Sequence, residues 1–419
     1  MNRLEAERKL HLDPNLHVIF AVTLMAIMGV ANITPAFPRI ARELGVTSRQ
    51  VGYLITYFTF PGVILSPVLG VLADRLGRKK VLVPSLILFG VAGTACAFAR
   101  NFDLLLALRF VQGVGAAAIG ALNITIVGDL YVGKERTTAM GYNASVLSVG
   151  TASYPLIGGA LATIGWNYPF FVSIIAIPVG FLVLFALDSP EPRNKQSLHT
   201  YFAEVWRAVR KRSIIGLLFC GSVSFIILYG SLLTYLPFLI AGRFHGSPFV
   251  IGLVLSASSI STAITASRLG SIAKRFPEKR ILAASYLFYI LALVLVPFAK
   301  SMGLLLVPVV IYGVAAGLNI PNVTSLMAAF APIGNRAAIM SMNGMVLRLG
   351  QTLGPIIMAG VFGVWGFTGV YVAGAIFALG MFAVAGIIVR QPREDTCDHP
   401  PTTPTAAPNP RFRQGGIDA

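Results

Sequence analysis

Little in this chain can perform covalent or metal chemistry. Its 419 residues include only three cysteines, five histidines and 16 acidic residues. Three cysteines are too few for a disulfide framework. Cys96 and Cys220 sit inside apolar runs and Cys397 in a polar tail, so neither redox work nor a metal site is expected. The sequence contains no phosphate-binding loop, no cluster of metal-ligand spacing and no nucleophile paired with a base, which argues against an enzyme and against an ATP-driven motor. Ten-residue strands of alternating polarity, the mark of an outer-membrane barrel, are missing too. No cleavable leader is expected, because the first apolar run is long and lacks a small-residue cleavage pattern.

What remains is hydrophobic. With 56% apolar residues, 12% charged residues and a mean hydropathy of +0.77, the composition is that of an integral membrane protein. A helix needs about 20 apolar residues to cross roughly 30 Å of hydrocarbon. Twelve such runs are present, at 17–37, 50–72, 81–99, 103–127, 139–163, 167–187, 213–240, 249–272, 281–299, 303–329, 339–362 and 368–389. The net charge of +17 would suggest nucleic acid as the partner of a soluble protein, but here its distribution explains it. Of the 33 Lys and Arg residues, 24 fall on the segments that share a side with the amino terminus, six on the opposite side and three (Arg109, Arg268, Arg348) within runs. By the positive-inside rule both termini are expected in the cytoplasm, with the protein in the plasma or inner membrane.

The polar stretch 188–212 divides the spans into six and six, and its second half has the pattern of an amphipathic helix on the inner leaflet. The expected units are therefore a bundle at 1–187, a cytoplasmic linker at 188–212, a second bundle at 213–390 and a disordered cytoplasmic tail at 391–419, rich in Pro and Thr. A repeat at a constant offset of 200 residues relates the halves. Gly52 matches Gly252; Gly70, Ala73, Arg75 and Lys79 match Gly270, Ala273, Arg275 and Lys279; Gly113 matches Gly313. Further on, Arg136, Met140 and Asn143 match Arg336, Met340 and Asn343, and Gly150 and Pro155 match Gly350 and Pro355. Parallel halves of this kind predict a substrate site at their interface near mid-membrane, worked by rocking one bundle against the other.

A charged turn, GVLADRLGRKK from Gly70 to Lys80, joins the second and third runs. Gly70 is expected to let neighbouring helices approach closely, and Gly77 to permit a tight turn. Asp74 is suited to the positive end of a helix dipole from the other half. Arg78 needs a carboxylate, for which Asp129 at the inner end of the fourth run is the candidate. Lys79 and Lys80 are most simply topology signals. The repeat copy has Lys274 for the acid, Pro277 for the second glycine and Glu278 for Arg78, so the second copy is degenerate.

This turn, with twelve runs in two halves, resembles the signature G-x-x-x-D-R/K-x-G-R-R/K-R/K of the major facilitator superfamily, filled at every specified position. The resemblance implies an all-α membrane fold of two six-helix bundles. It also implies that Gly70, Asp74, Arg75, Gly77, Arg78 and Asp129 form a gate that latches the bundles in one state and breaks as they rock. Arg109, Gln112 and Gly113 resemble the family's R-x-x-Q-G element, tied in its proton-coupled exporters to proton movement or to the pocket. The alternative is a structural arginine bonded to backbone carbonyls. Gly150, Pro155, Gly158 and Gly159 resemble the exporter element of the fifth span, with Tyr154 where that element has glycine, and Gly350, Gly354 and Pro355 repeat its short form. These glycines and prolines are expected at helix-packing faces.

Asn32, Arg109, Gln112, Tyr229, Tyr235, Asn319 and Arg348 are the candidates for substrate binding or coupling, with interhelical hydrogen bonding the alternative for most. Arg348 lies about ten residues into its span, where a charge is functional by default. No carboxylate occupies mid-membrane, since all 16 acids fall in loops, tails or span ends. Proton coupling is thus implied by the resemblance alone, and two deep arginines without nearby acids favour an anionic or hydrogen-bonding substrate. The expected activity is export of small amphipathic molecules by proton antiport. A transporter of one specific small, anionic metabolite is the alternative, and a non-transporting receptor on the same fold a remote one. The expected partners are a small-molecule substrate, a coupling proton and the lipid bilayer, with no nucleic acid, no cofactor and a monomeric chain.

Overall fold

The computed structural model describes residues 10, 12–188, 212–330 and 336–387. Apart from Asp188 and Arg212, the expected linker lies outside the described residues, as does the expected tail 391–419.

Among the described residues eleven helices are long and apolar enough to cross a membrane: α1 Pro14–Glu43, α2 Ser48–Leu76, α3 Arg78–Cys96, α4 Phe102–Leu130, α5 Gly133–Ile164, α6 Tyr168–Ala186, α7 Arg212–Arg243, α8 Pro248–Ala273, α9 Glu278–Phe298, α10 Met302–Phe330 and α11. The last runs from Arg336 to Ile387 but is broken at Gly366, whose backbone is left-handed (φ 62°, ψ −156°). That glycine lies between the apolar runs 339–362 and 368–389, so α11 comprises the eleventh and twelfth spans. Their junction is one residue long instead of a loop, and only glycine takes that conformation without strain.

Helix starts follow local chemistry. Asp13 accepts from the Asn15 amide at 2.9 Å, Asn101 from Leu104 at 2.8 Å and Ser247 from Val250 at 3.4 Å, while Thr47 and Gln50 cap each other reciprocally. Between α2 and α3 the chain turns on Gly77 alone, at φ 106° and ψ 142°. We expect Gly77→Ala to cost about 1–3 kcal/mol for the left-handed backbone, read as a lowered melting temperature in detergent. No loss would mean that the turn relaxes freely.

Among the described residues two large apolar cores form, with a small third cluster of Ile226, Tyr235, Met358 and Val370. One draws on Leu16, Phe37, Leu54, Phe89, Ile119 and Phe170 from the first six helices, the other on Leu217, Leu255, Leu282, Val309, Met327 and Tyr371 from the remainder. The surface is apolar as well: Phe185, Phe219, Ile264, Trp365 and Leu379 are all exposed. Hydrocarbon, with no water to satisfy backbone groups, requires both this exterior and the all-helical architecture. A π-helical stretch, Ile227–Tyr235, interrupts α7. It lies where Gly230 meets the backbone of Gly354 on α11, and such widened turns often mark functional positions.

Candidate functional site

The two halves meet along two seams, α2 against α11 and α5 against α8. Residues matched by the 200-residue repeat face one another crosswise there. A methyl group at Gly52 would sit 3.3 Å from Pro355, while one at Gly252 would overlap the carbonyl oxygen of Pro155. Around these contacts Thr56 donates to the Thr352 carbonyl at 3.1 Å, the Thr59 and Thr352 hydroxyls lie 2.8 Å apart, and Arg49 donates to the Gly363 carbonyl at 3.3 Å. A methyl at Gly159 would stand 2.5 Å from the Pro248 carbonyl oxygen. All these residues occupy the same ends of their helices, here termed the Arg49 end, and it is closed.

The opposite ends, beside the Gly77 turn, are apart. Gly70, Gly141, Gly270 and Gly344 have no atom within 4 Å of the place a Cβ would take. Gly70 therefore does not provide the close helix approach expected of it, since no facing helix comes near it. Arg78 is buried and joins two acids, Asp74 within an ion pair and Asp129 through Nε at 3.0 Å from Oδ2. Both partners belong to the first half. Asp74 thus turns to Arg78 instead of to a helix end in the second half, and Arg75 is exposed. Nearby, the Tyr131 hydroxyl donates to Asp13 at 2.6 Å. Burial first, then that hydrogen bond, holds the Tyr131 phenol above its ordinary pKa.

Lys79, read as a topology signal, and its repeat mate Lys279 do related work in the two halves. Lys79 donates to the Leu184 carbonyl at 3.3 Å, in the last turn of α6 where carbonyls lack intrahelical partners, and Lys279 donates to the Gly386 carbonyl of α11 at 2.8 Å. Their repeat relation was the signal that could have found this. Glu278, in the place of Arg78, accepts from Ser325 at 3.0 Å, so the second copy binds α9 to α10.

Of the seven candidates for substrate or coupling, five lie inside packed helices. Arg109 is fully buried in the first half. It donates to the Leu54 carbonyl at 3.2 Å, the Gly29 carbonyl at 2.8 Å and Gln112 Oε1 at 2.6 Å, with Phe58 stacked 4.1 Å from its guanidinium carbon. Gln112 passes the chain on to Ser173 at 3.2 Å. Asn32 donates to the Pro169 carbonyl at 2.6 Å. Asn319 bridges Ser224 at 2.8 Å and Ser285 at 2.9 Å. Tyr235 is fully buried at the closed end, its ring 4.8 Å from that of Phe362. The remaining two, Tyr229 and Arg348, are half-buried and lie toward the space between the halves. Sequence reasoning missed Thr23, which forms a further buried group in the first half with Asn143 and Asn123, the last at 2.6 Å. Asn143 was visible only as the mate of Asn343.

The glycines divide by role. Gly158 touches the Asn32 backbone and Gly150 the side chains of Leu24 and Ile27, so both hold α5 to α1. Gly350 and Gly354 hold α11 to α7, where added methyls would stand 2.5 Å from the Ser222 oxygen and 2.8 Å from the Ile226 oxygen. Gly159, Pro155 and Pro355 serve the contacts between halves instead. Small residues that admit a backbone oxygen this closely tolerate no larger side chain.

The family described as Major Facilitator Superfamily matches residues 19–245 and 236–413. The chain is similar to Multidrug resistance protein 2 of Bacillus subtilis, 27% identical over 348 residues covering 81% of this chain and 86% of that one. To Quinolone resistance protein NorA of Staphylococcus aureus it is 24% identical over 388 residues, 90% and 96% of the two chains. Among solved structures, nucleoside transporter NupG superposes with a TM-score of 0.76 at 15% identity, over 90% of this chain and all of the other.

Proposed function

Because the chain belongs to the Major Facilitator Superfamily and is a multi-pass membrane transporter, we propose that it exports small amphipathic molecules by rocking its halves around a central site, driven by proton antiport. One observation carries this reading: the crosswise pairs Gly52 with Pro355 and Gly252 with Pro155 seal one end while the other end stands open. Two seams related by the repeat form a pivot that either end can close on. The efflux direction draws support from the relatives whose names denote drug resistance.

In this reading residues 1–187 and 213–390 are the moving bundles, joined by 188–212. The Arg78 end faces the cytoplasm with both termini, the chain works as a monomer in the cell membrane, and the state described is open inward. Asp74, Arg75, Gly77, Arg78 and Asp129 are then a gate at rest. Arg78 keeps both carboxylates occupied within the first bundle, and closing this end offers Asp74 a partner in the second. Among the described residues these two acids are the carboxylates nearest the route a proton would take, since no span carries one at its centre.

The test is a compound screen in inside-out vesicles with an acid lumen, recording luminal pH. A transported compound should raise luminal pH, and a protonophore should abolish its accumulation. Accumulation without a pH change would reject proton antiport and keep the exporter, whereas no movement of any compound would reject export.

A further inference from the structure

The two arginines deep in the membrane are not alike. Arg109 spends its donors on three acceptors between 2.6 and 3.2 Å and an aromatic face, all inside its own half. Arg348, on α11 of the second half, reaches across to the first and, among the described residues, finds one acceptor, the Ala116 carbonyl, 3.5 Å from Nη2. At that length the bond is weak. The ion pairs among the described residues are Arg39 with Glu43 and Arg78 with Asp74 and Asp129, so none includes Arg348.

The guanidinium rests in a socket made by two glycines. A methyl at Gly62 on α2 would sit 2.5 Å from Nη1, and one at Gly120 on α4 would sit 2.6 Å from Nη2. On the other side, Phe225 and Tyr229 of α7 stack at 5.9 Å and 15°, both half-buried. Tyr229 lies within electrostatic reach of Arg348. Phe225 is held beside α11, where a methyl at Gly350 would come within 3.0 Å of its Cβ. A cation with spare donors therefore lies within electrostatic reach of one ring of an aromatic pair, where the second half faces the first.

We propose that Arg348 anchors the negative group of an amphipathic organic anion whose ring packs on Phe225 and Tyr229. The Gly62, Ala116 and Gly120 socket is where its guanidinium parks when no anion is bound. A guanidinium with unspent donors gains most from a carboxylate or sulfonate, which accepts two parallel N–H bonds. Parking opposes binding, because the fraction of molecules with Arg348 docked in the socket lowers the apparent affinity for the anion. This inference rests on the transport reading above and assigns that site its substrate class.

Two probes with one ring system separate charge from shape: 1-anilinonaphthalene-8-sulfonate and its uncharged counterpart N-phenyl-1-naphthylamine. Purified full-length protein is assayed for saturable binding of each, and proteoliposomes for their transport, with tetraphenylphosphonium as the cationic control. Wild type should bind and move the sulfonate. Arg348→Gln should weaken sulfonate binding at least tenfold and leave the uncharged probe within twofold, with Arg348→Lys intermediate. Gly62→Ala and Gly120→Ala evict only the end of a flexible side chain, so each should tighten sulfonate binding severalfold, and neither should do so in the Arg348→Gln background.

Equal losses for all three probes in Arg348→Gln, or no gain from either alanine, would overturn the proposal and leave Arg348 a structural bridge. Transport of the cation but not the sulfonate would also overturn it while the exporter reading survives. Sulfonate binding that depends on Arg348, with no probe transported, would sustain the anion site and sink the exporter reading.

Discussion

Gly252→Ala is expected to cut transport about tenfold or more with the protein still folded, while Gly52→Ala, its repeat mate, should cost no more than a few-fold. The two glycines occupy corresponding places in the two seams, yet their surroundings differ. Beside Gly52 a new methyl meets side-chain atoms, Pro355 Cβ and Thr234 Cγ2, both at 3.3 Å. Shifts of a few tenths of an ångström accommodate that. Beside Gly252 it meets the Pro155 carbonyl oxygen and, at 3.3 Å, the Gly159 Cα, so backbone would have to move. Overpacking of this kind costs about 1–3 kcal/mol. Each half is untouched when the seam parts, so the cost falls on the state closed at the Arg49 end alone, and 1.4 kcal/mol of bias is about a tenfold change in population.

Transport per folded protein reads the loss. A Thr56→Cys reporter on the neighbouring seam, labelled from the Arg49 end by an impermeant maleimide, reads its cause. Labelling should accelerate in Gly252→Ala and remain slow in Gly52→Ala. If Gly252→Ala transported and labelled like wild type, the seam would not be the pivot.

This pair marks how far the sequence could be read. The offset of 200 residues put Gly52 with Gly252 and Pro155 with Pro355, but it did not say that each glycine would face the other half's proline. That follows from rotating one bundle on the other, a relation between helices and not along one. Gly77 was legible because a turn of one residue between two helices allows few conformations. Arg109 and Arg348 were not, since hydropathy marks both as buried charges without saying what surrounds them. At helical spacing Arg109, Gly113, Ala116, Gly120 and Asn123 share one face of α4, yet that face meets Gly29 and Leu54, then Phe58, then Arg348, then Thr23. Neighbouring helices cross α4 obliquely, so one face has a different partner at each height.

Arg109 gives the second large effect, in stability instead of specificity. Its guanidinium ties α4 to α1 through the Gly29 carbonyl and to α2 through the Leu54 carbonyl, while Phe58 covers its face. Lysine keeps the charge but carries it on a single point with no fork, so it cannot serve both carbonyls and Gln112 in one geometry. Alanine leaves a cavity and an unpaired Gln112 oxygen. Either change should destabilise the first bundle by about 3–5 kcal/mol, the cost of breaking a buried charged network, and the folded yield in detergent should fall steeply. Molecules that do fold should keep the wild-type preference among anionic, neutral and cationic probes, because Arg109 faces none of the space between the halves. A stable Arg109→Lys protein with altered probe preference or proton stoichiometry would instead make this residue part of the transport cycle.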